Sequence, residues 1–158
     1  MPNDMKRNLT MLTDFYEITM SNGYFQYELE DRIAVFDMFF RKIPDGGGFA
    51  LFAGLEQLVE YLKNLEFTQE DIEYLRSKDI FSEPFLEYRF SCDVWSVREG
   101  TPIFPYEPVV IVRGPIIQAQ LIETMILLTI NHQSLMATKA NRIVRAAEGR
   151  PISEFGSR

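Results

Sequence analysis

Residues 91–113, SCDVWSVREGTPIFPYEPVVIVR, carry the clearest change of pattern in this chain of 158 residues. Polar and apolar residues alternate here, whereas the apolar residues on either side recur every three or four positions. Alternation with a period of two indicates β-strands, and Gly100 and residues 105–108 supply turns between them. The stretch therefore predicts a small antiparallel β module, closed by Gly114-Pro115, with strands at 91–97, 101–104 and 108–113.

The residues before this module predict three helices and one strand. Leu12, Phe15, Ile18 and their neighbours make the first helix apolar over a wide arc. Thr68, with Asp71 three positions later, forms a capping box at the start of another helix. The expected elements are a helix over 12–28, a strand over 32–43, a glycine loop at 44–48, a helix over 49–65, the helix from Thr68, and a helical turn at 82–84.

The residues after the module predict two helices, 116–130 and 133–148, joined by a polar connection at 131–132. Gly149 and Pro151 end the second helix, and the chain then runs extended toward its last residue, as if to enter a strand. Because composition shifts at Gly114-Pro115, we expect one domain over residues 1–114 and the start of another over 115–158. The expected fold class is α/β.

Composition and charge exclude several classes of protein. Apolar residues make up 46% of the chain and aromatic residues 13%, as in a packed globular protein. Sixteen basic and 23 acidic residues give a net charge of −7, which argues against nucleic acid or an anionic membrane as a partner. Cys92 is the only cysteine, so an intrachain disulfide is impossible. Without a signal peptide or a long apolar run, we expect a soluble cytoplasmic protein.

Few residues suggest chemistry by themselves. His132 is the only histidine, which excludes a Ser-His-Asp triad within this chain, and its place between two predicted helices favours capping. Glycines 46–48 lack the lysine of a phosphate-binding P-loop and are interpreted as a plain loop. The basic stripe Lys139, Arg142 and Arg145 is interpreted as a solvated face, with an anion site as the alternative.

The last residues combine an aromatic ring, a glycine and a guanidinium group in Phe155-Gly156-Ser157-Arg158. At the end of a barrel strand, these groups would suit an aromatic ring and a phosphate. The alternative is a terminal turn without a ligand. The other end of the chain favours the first interpretation.

Motifs spread along nearly the whole chain resemble the nicotinate phosphoribosyltransferase family. The first is LTDFYEITM at 12–20, and the last is EFGSR at 154–158. Between them, in the same order, stand VFDMFFRKIP at 35–44 with glycines 46–48, FAGLE at 52–56, EGT at 99–101, EP at 107–108, GP at 114–115 and NHQS at 131–134. This shared order makes the resemblance more specific than any single motif.

The resemblance implies a fold and an activity. Family members have an N-terminal α/β domain followed by an irregular α/β barrel, and they act as head-to-tail dimers. They join nicotinate to phosphoribosyl pyrophosphate with coupled ATP hydrolysis and Mg²⁺, giving nicotinate mononucleotide and pyrophosphate for NAD salvage. Family members are two or three times longer, so the missing barrel, magnesium ligands and phosphorylated histidine imply that this segment alone is inactive.

The resemblance also implies roles for four residues. Tyr16 matches a tyrosine that stacks on the pyridine ring, and Asp14 lines the same pocket. Phe155, from the other subunit of the dimer, matches a phenylalanine that covers the opposite ring face, and Arg158 matches an arginine that contacts phosphate or substrate.

Two other readings of the sequence stay open. In one, the chain is a non-catalytic binding or dimerisation module derived from that family. In the other, residues 91–114 form a carrier-like β module, which the lack of a lysine at 98–100 disfavours.

Overall fold

The computed structural model describes residues 8–78 and 89–156, so the expected turn at 82–84 and Arg158 lie outside the described residues. Helices are mixed with two small antiparallel sheets, which confirms the α/β class. The elements are α1 Phe15–Gln26, β1 Ile33–Met38, a 3-10 helix Pro44–Gly46, β2 Ala50–Leu51, α2 Leu55–Lys63, α3 Gln69–Arg76, β3 Asp93–Ser96, β4 Pro102–Ile103, β5 Val110–Pro115, α4 Ile116–Gln120 and α5 Glu123–Ala147.

The main sheet has three antiparallel strands in the order β1-β5-β3. In the middle of the sheet, Val112 of β5 lies opposite Phe36 of β1 and Val94 of β3. As the central strand, β5 pairs with a neighbour along both of its edges. The sheet thus joins residues near 35 to residues near 95 and 112.

The predicted β module is wrong in two respects. β4 leaves the other two strands and pairs with β2, where Ala50 lies opposite Ile103. Gly114-Pro115 does not close the module but continues β5 opposite Ile33 and Ala34. Both edges of β5 are occupied by β1 and β3, so β4 satisfies its backbone with the only short strand left beside it among the described residues.

The helix predicted over 49–65 begins later, at Leu55. The Phe52 N–H donates to the carbonyl oxygen of Thr101 at 2.9 Å, so the residues before α2 follow a strand path. The Glu99 carboxylate caps α2, because its Oε1 accepts from the backbone N–H groups of Gly54 at 2.9 Å and Leu55 at 2.6 Å. At α3 the predicted capping box between Thr68 and Asp71 is confirmed.

The polar connection predicted at 131–132 is also wrong, because α5 runs unbroken from Glu123 to Ala147. His132 lies within this helix with an exposed side chain and caps nothing. Farther along the same helix, Ser134 and Thr138 are buried and hold β2 and the residues that follow it, since their hydroxyl groups accept from the N–H groups of Ala53 at 3.0 Å and Leu51 at 2.8 Å. The polar residues therefore serve packing against β2 rather than a helix end.

The main core lies between the sheets and the buried face of α5. It contains side chains from both sides of residue 114, and a smaller cluster joins α1 to α3 and α4. The division of the chain into domains at 114 stays a prediction. Fully or nearly fully buried members of the main core are Phe52, Leu58, Ile103, Val109, Val110, Ile122 and Ile130.

Substitutions at two glycines are predicted to change stability in opposite directions. Gly114→Ala should lower the free energy of unfolding by about 1–3 kcal/mol, because the new Cβ would meet Cys92, whose Cα would be 3.0 Å away. Gly23→Ala is the matched control: it lies within α1 with nothing within 4 Å of the new Cβ. It should raise that free energy by roughly 0.5–1 kcal/mol, because alanine favours the helix. Thermal unfolding of the full-length protein measures both, and equal effects would contradict the packing described at Gly114.

Candidate functional site

In its first two turns, helix α1 turns two aromatic side chains outward and two polar side chains inward. Phe15 is 62% exposed, Tyr16 46% and Met20 43%, whereas Glu17 and Ser21 are completely buried. Surface helices normally bury apolar side chains and expose polar ones. The exposed face of α1 is therefore an apolar patch that includes the Tyr16 ring. This face of α1 is the candidate site.

Asp14 is the N-cap residue of α1, but its side chain makes no hydrogen bond to the helix. Its backbone N–H donates instead to the Thr124 hydroxyl oxygen at 3.2 Å, which ties the start of α1 to the first turn of α5. The Asp14 carboxylate is exposed beside the Tyr16 ring and can face a ligand there.

The Tyr16 hydroxyl group lies close to the carboxylate of Glu123, the first residue of α5. Partial burial, then the negative charges of Glu123, Glu17 and Asp14, raise the pKa of Tyr16 above its usual value. The phenol therefore stays protonated at neutral pH. The potential around the ring is negative, which favours a ligand that carries or develops positive charge there.

Glu17 lies beneath this face and joins α1 to α5. Its carboxylate oxygens accept from the hydroxyl groups of Thr13 and, at 2.9 Å, Thr124. Burial raises the pKa of Glu17, and the two hydroxyl groups oppose this effect. The buried Tyr61 hydroxyl of α2 lies near enough that the charge of Glu17 contributes to a raised pKa of Tyr61.

The sequence does not predict Glu17, Glu123 and Thr124 as parts of the site. Glu17 lies within the LTDFYEITM motif at 12–20, on a helix predicted to be apolar over a wide arc. A charged residue in such a helix indicates a buried side chain that has hydrogen-bond partners. For Glu123 and Thr124, 107 and 108 positions from Tyr16, the sequence holds no comparable signal.

Phe155 lies far from Tyr16 within one chain. Its ring is 81% exposed, and residues 148–156 are exposed throughout. Tyr16 lies beside the first residue of α5, and the 25 residues of that helix span about 36 Å. The eight residues after Ala147 reach at most about 28 Å, and being exposed they do not fold back along the helix. The structure therefore does not bring the two rings together in a single chain.

The strand expected near the end of the chain is absent from the described residues, because 151–156 form neither helix nor strand. Arg158, the fourth candidate residue, lies outside the described range, so its position is not assigned.

Most of the basic stripe on α5 anchors the glycine loop. Lys139 and Arg142 both pair with Asp45, at 3.7 and 3.4 Å, and Arg142 also donates to the carbonyl oxygen of Phe49 at 3.4 Å. A side chain on Gly47 would collide with the Arg142 guanidinium group, so the glycine allows this close approach. These contacts give Lys139 and Arg142 a structural role. Arg145, the third residue of the stripe, is exposed to solvent.

The described residues form neither a metal site nor a reactive thiol. Within 8–78 and 89–156, no three His, Cys, Asp or Glu side chains are grouped so as to hold a metal ion. Burial and then the neighbouring Asp93 raise the pKa of the Cys92 thiol to about 11, so it is almost wholly protonated at neutral pH. Across those same residues, no helix is both long and apolar enough to cross a membrane.

A cleft between the main sheet and helices α4 and α5 opens beside Glu123. Phe36 and Gln120 line it, and its volume is about 70 Å³. Ligand pockets measure roughly 300–1,000 Å³, so this cleft is too small for a nucleotide. A ligand on the outward face of α1 thus needs a further surface to enclose it.

Comparison with known proteins supplies the context. The family model described as the nicotinate phosphoribosyltransferase N-terminal domain matches residues 11–131. A nicotinate phosphoribosyltransferase of Mycobacterium tuberculosis is 46% identical over 152 residues, which cover 94% of this chain and 33% of that protein. One of Bacillus subtilis is 40% identical, over 96% of this chain and 32% of that protein.

Solved structures agree with these matches. The crystal structure of human nicotinic acid phosphoribosyltransferase aligns with a TM-score of 0.78 and 34% identity, over 89% of this chain and 29% of that one. The crystal structure of nicotinate-nucleotide pyrophosphorylase from Pyrococcus furiosus, with 23% identity and a TM-score of 0.70, shares the fold. The chain spans about a third of the length of the curated relatives it matches.

The protonated Cys92 generates a prediction about reactivity. At pH 8, iodoacetamide should alkylate it about 10²-fold more slowly than free cysteine, because only the thiolate reacts and the Cys92 pKa is about 11. Mass spectrometry of the native protein over time measures the rate, with the urea-unfolded protein as the control. A rate close to that of free cysteine would contradict the burial described for this side chain.

Proposed function

The chain belongs to the nicotinate phosphoribosyltransferase family, and on that basis we propose that it forms the N-terminal part of an enzyme of NAD salvage. In this proposal the full-length protein joins nicotinate to phosphoribosyl pyrophosphate, coupled to ATP hydrolysis, and releases nicotinate mononucleotide and pyrophosphate. The observation that carries the proposal is the outward Tyr16 ring beside Glu123, on a helix in which the polar Glu17 and Ser21 are buried instead.

Tyr16 binds the pyridine ring of nicotinate by stacking. Aromatic rings stack without using the ring nitrogen, which stays available to attack the ribose. The negative groups around Tyr16 favour the positive charge that the pyridine nitrogen gains when it bonds to the sugar.

The same negative groups repel the carboxylate of nicotinate. Asp14, Glu17 and Glu123 all lie near the Tyr16 hydroxyl group, so the substrate carboxylate must point away from them toward a cation. Arg158 is the proposed residue for this carboxylate or for a phosphate, because a guanidinium group binds either with two parallel hydrogen bonds.

Phe155 completes the pocket from a second copy of the chain. The separation of the two rings along α5 supports this arrangement, because one chain presents Tyr16 at one end of the helix and Phe155 beyond the other. In a head-to-tail homodimer the opposite ends meet, so that each site receives one ring from each subunit. The 81% exposed Phe155 is then buried against the substrate.

In this proposal, catalysis depends mainly on how the substrates are positioned. Transfer of the ribosyl group passes through a positively charged, oxocarbenium-like sugar, which depends more on orientation and charge than on a general base. Mg²⁺ would neutralise the pyrophosphate, and ATP would supply driving force. The described residues hold no cluster that fits the metal, so no step in this segment runs through it. We also propose a cytoplasmic location, without nucleic-acid or membrane partners, from the net charge of −7.

The stacking role predicts a defect in binding rather than in folding. Tyr16→Ala in the full-length protein should raise the KM for nicotinate about tenfold or more, since the loss of one stacked ring is worth roughly 1 kcal/mol and more in a closed pocket. Because Tyr16 is 46% exposed, its removal should change the free energy of unfolding by less than about 1 kcal/mol. Steady-state kinetics and thermal unfolding measure the two effects.

Two substitutions serve as controls for this prediction. Tyr27→Ala removes a ring that is 79% exposed at the far end of the same helix and should leave KM unchanged. Tyr16→Phe keeps the ring and loses only the hydroxyl group, so it should retain most of the binding. A Tyr16→Ala protein with normal KM would contradict the proposed site.

A second prediction concerns the segment alone. The purified 158-residue chain should form no nicotinate mononucleotide from nicotinate, phosphoribosyl pyrophosphate, Mg²⁺ and ATP, whereas the full-length protein should. The reason is that Tyr16 is 46% exposed on an outward face, and the cleft beside Glu123 has a volume of only about 70 Å³. Chromatography of the products measures both. Turnover by the segment would overturn the composite site, and a full-length protein that binds without turnover would favour a binding module.

A further inference from the structure

The buried carboxyl group of Glu17 stands out on α1. It is completely buried, and within the described residues no other acidic or basic side chain is in the buried class. Burying such a group is unfavourable unless hydrogen bonds replace its hydration, and an apolar side chain of similar size would occupy the same space at less cost. A role in setting geometry is a physical reason to retain a carboxyl group at this position.

The contacts of Glu17 converge on the residues that present the substrate face. One carboxylate oxygen accepts from Thr13, which precedes Asp14, and the other accepts from Thr124 at 2.9 Å. Thr124 then accepts from the Asp14 N–H at 3.2 Å. A hydroxyl group has one proton and rotates freely, so donating that proton to Glu17 turns the Thr124 lone pairs toward Asp14.

The first turn of α5 consequently meets the site at two successive positions. Glu123 lies beside the Tyr16 hydroxyl group, and the Thr124 hydroxyl oxygen accepts a hydrogen bond from the Asp14 N–H. Glu17 is the side chain that fixes the second contact, and it follows Tyr16 directly on α1. Displacement of α1 against α5 would move the ring and the Asp14 carboxylate together.

We propose that Glu17 is a positioning residue for the nicotinate pocket, which holds Asp14 and Tyr16 in register with the first turn of α5 through Thr13 and Thr124. This inference rests on the proposed function, since it assigns Glu17 a purpose in binding the pyridine ring. Glu17 itself is buried beneath the face and does not contact the substrate.

Two substitutions of similar volume separate positioning from simple packing. Glu17→Gln keeps an oxygen that accepts from Thr124 and an amide group that can bond to Thr13. Glu17→Met fills the space but accepts neither hydrogen bond. We expect the glutamine protein to keep a KM for nicotinate within about twofold of the wild type, and the methionine protein to show a KM raised about tenfold or more, because small misplacements weaken binding strongly.

Two controls make the result specific. Ile18→Ala removes a neighbouring buried side chain of the α1 cluster and should lower the melting temperature with little change in KM. Ser21→Ala changes a buried hydroxyl group that has no hydrogen-bond partner, one turn farther along, and should change neither. The positioning role is overturned if Glu17→Met keeps a normal KM, or if its KM rises no more than that of an Ile18→Ala protein of equal melting temperature.

A second readout separates this inference from the proposed activity. Hydrogen–deuterium exchange of a peptide covering residues 12–17, read by mass spectrometry, reports the Asp14 N–H in the full-length protein without any substrate. Faster exchange there in Glu17→Met than in Glu17→Gln supports the positioning role, and equal exchange overturns it. If the wild-type protein forms no nicotinate mononucleotide, the proposed function fails while the exchange result still decides whether Glu17 holds Asp14.

Discussion

Pairing along both edges of β5 is the constraint on which the rest of the structure depends. β5 lies between β1 and β3, so its backbone groups find partners on either side and its buried Val110 and Val112 pack against α5. The pairing joins segments that are more than 70 residues apart in the chain. β4 does not join this sheet, and the two-residue strand β2 provides its partner.

Helix α5 connects the sheets to the candidate site. Ile126 and Ile130, in the first third of α5, belong to the core between the helix and the sheets, and the buried Ser134 and Thr138 farther along bind the β2 segment. Its first turn then stands at a fixed place beside α1, where Glu123 and Thr124 meet the residues of the LTDFYEITM motif. The ring of Tyr16 therefore depends on packing that lies two to three helical turns away.

The exposed aromatic face of α1 and the exposed tail at Phe155 have one physical property in common. Each leaves a large apolar ring in water, and neither finds a partner inside this chain among the described residues. In the proposed enzyme both rings are buried by the same substrate, because two subunits bring opposite ends of α5 together. The hydrophobic effect would then favour the dimer and the bound ligand through the same surfaces.

The sequence by itself determined the local elements and the family. Periodicity predicted β3 and β5 to within about two residues and the existence of β1 and α2, though β1 ends earlier and α2 begins later than predicted. The capping box predicted the start of α3, and the ordered motifs identified the family that the comparisons confirm. These signals lie within short stretches, where the chemistry of neighbouring residues suffices. Only the tertiary structure decided that His132 lies inside an unbroken helix, that β4 pairs with β2, and that Glu17 is buried between Thr13 and Thr124. Each of these depends on contacts between residues that are far apart in the chain, and the local sequence around either residue does not indicate such a contact.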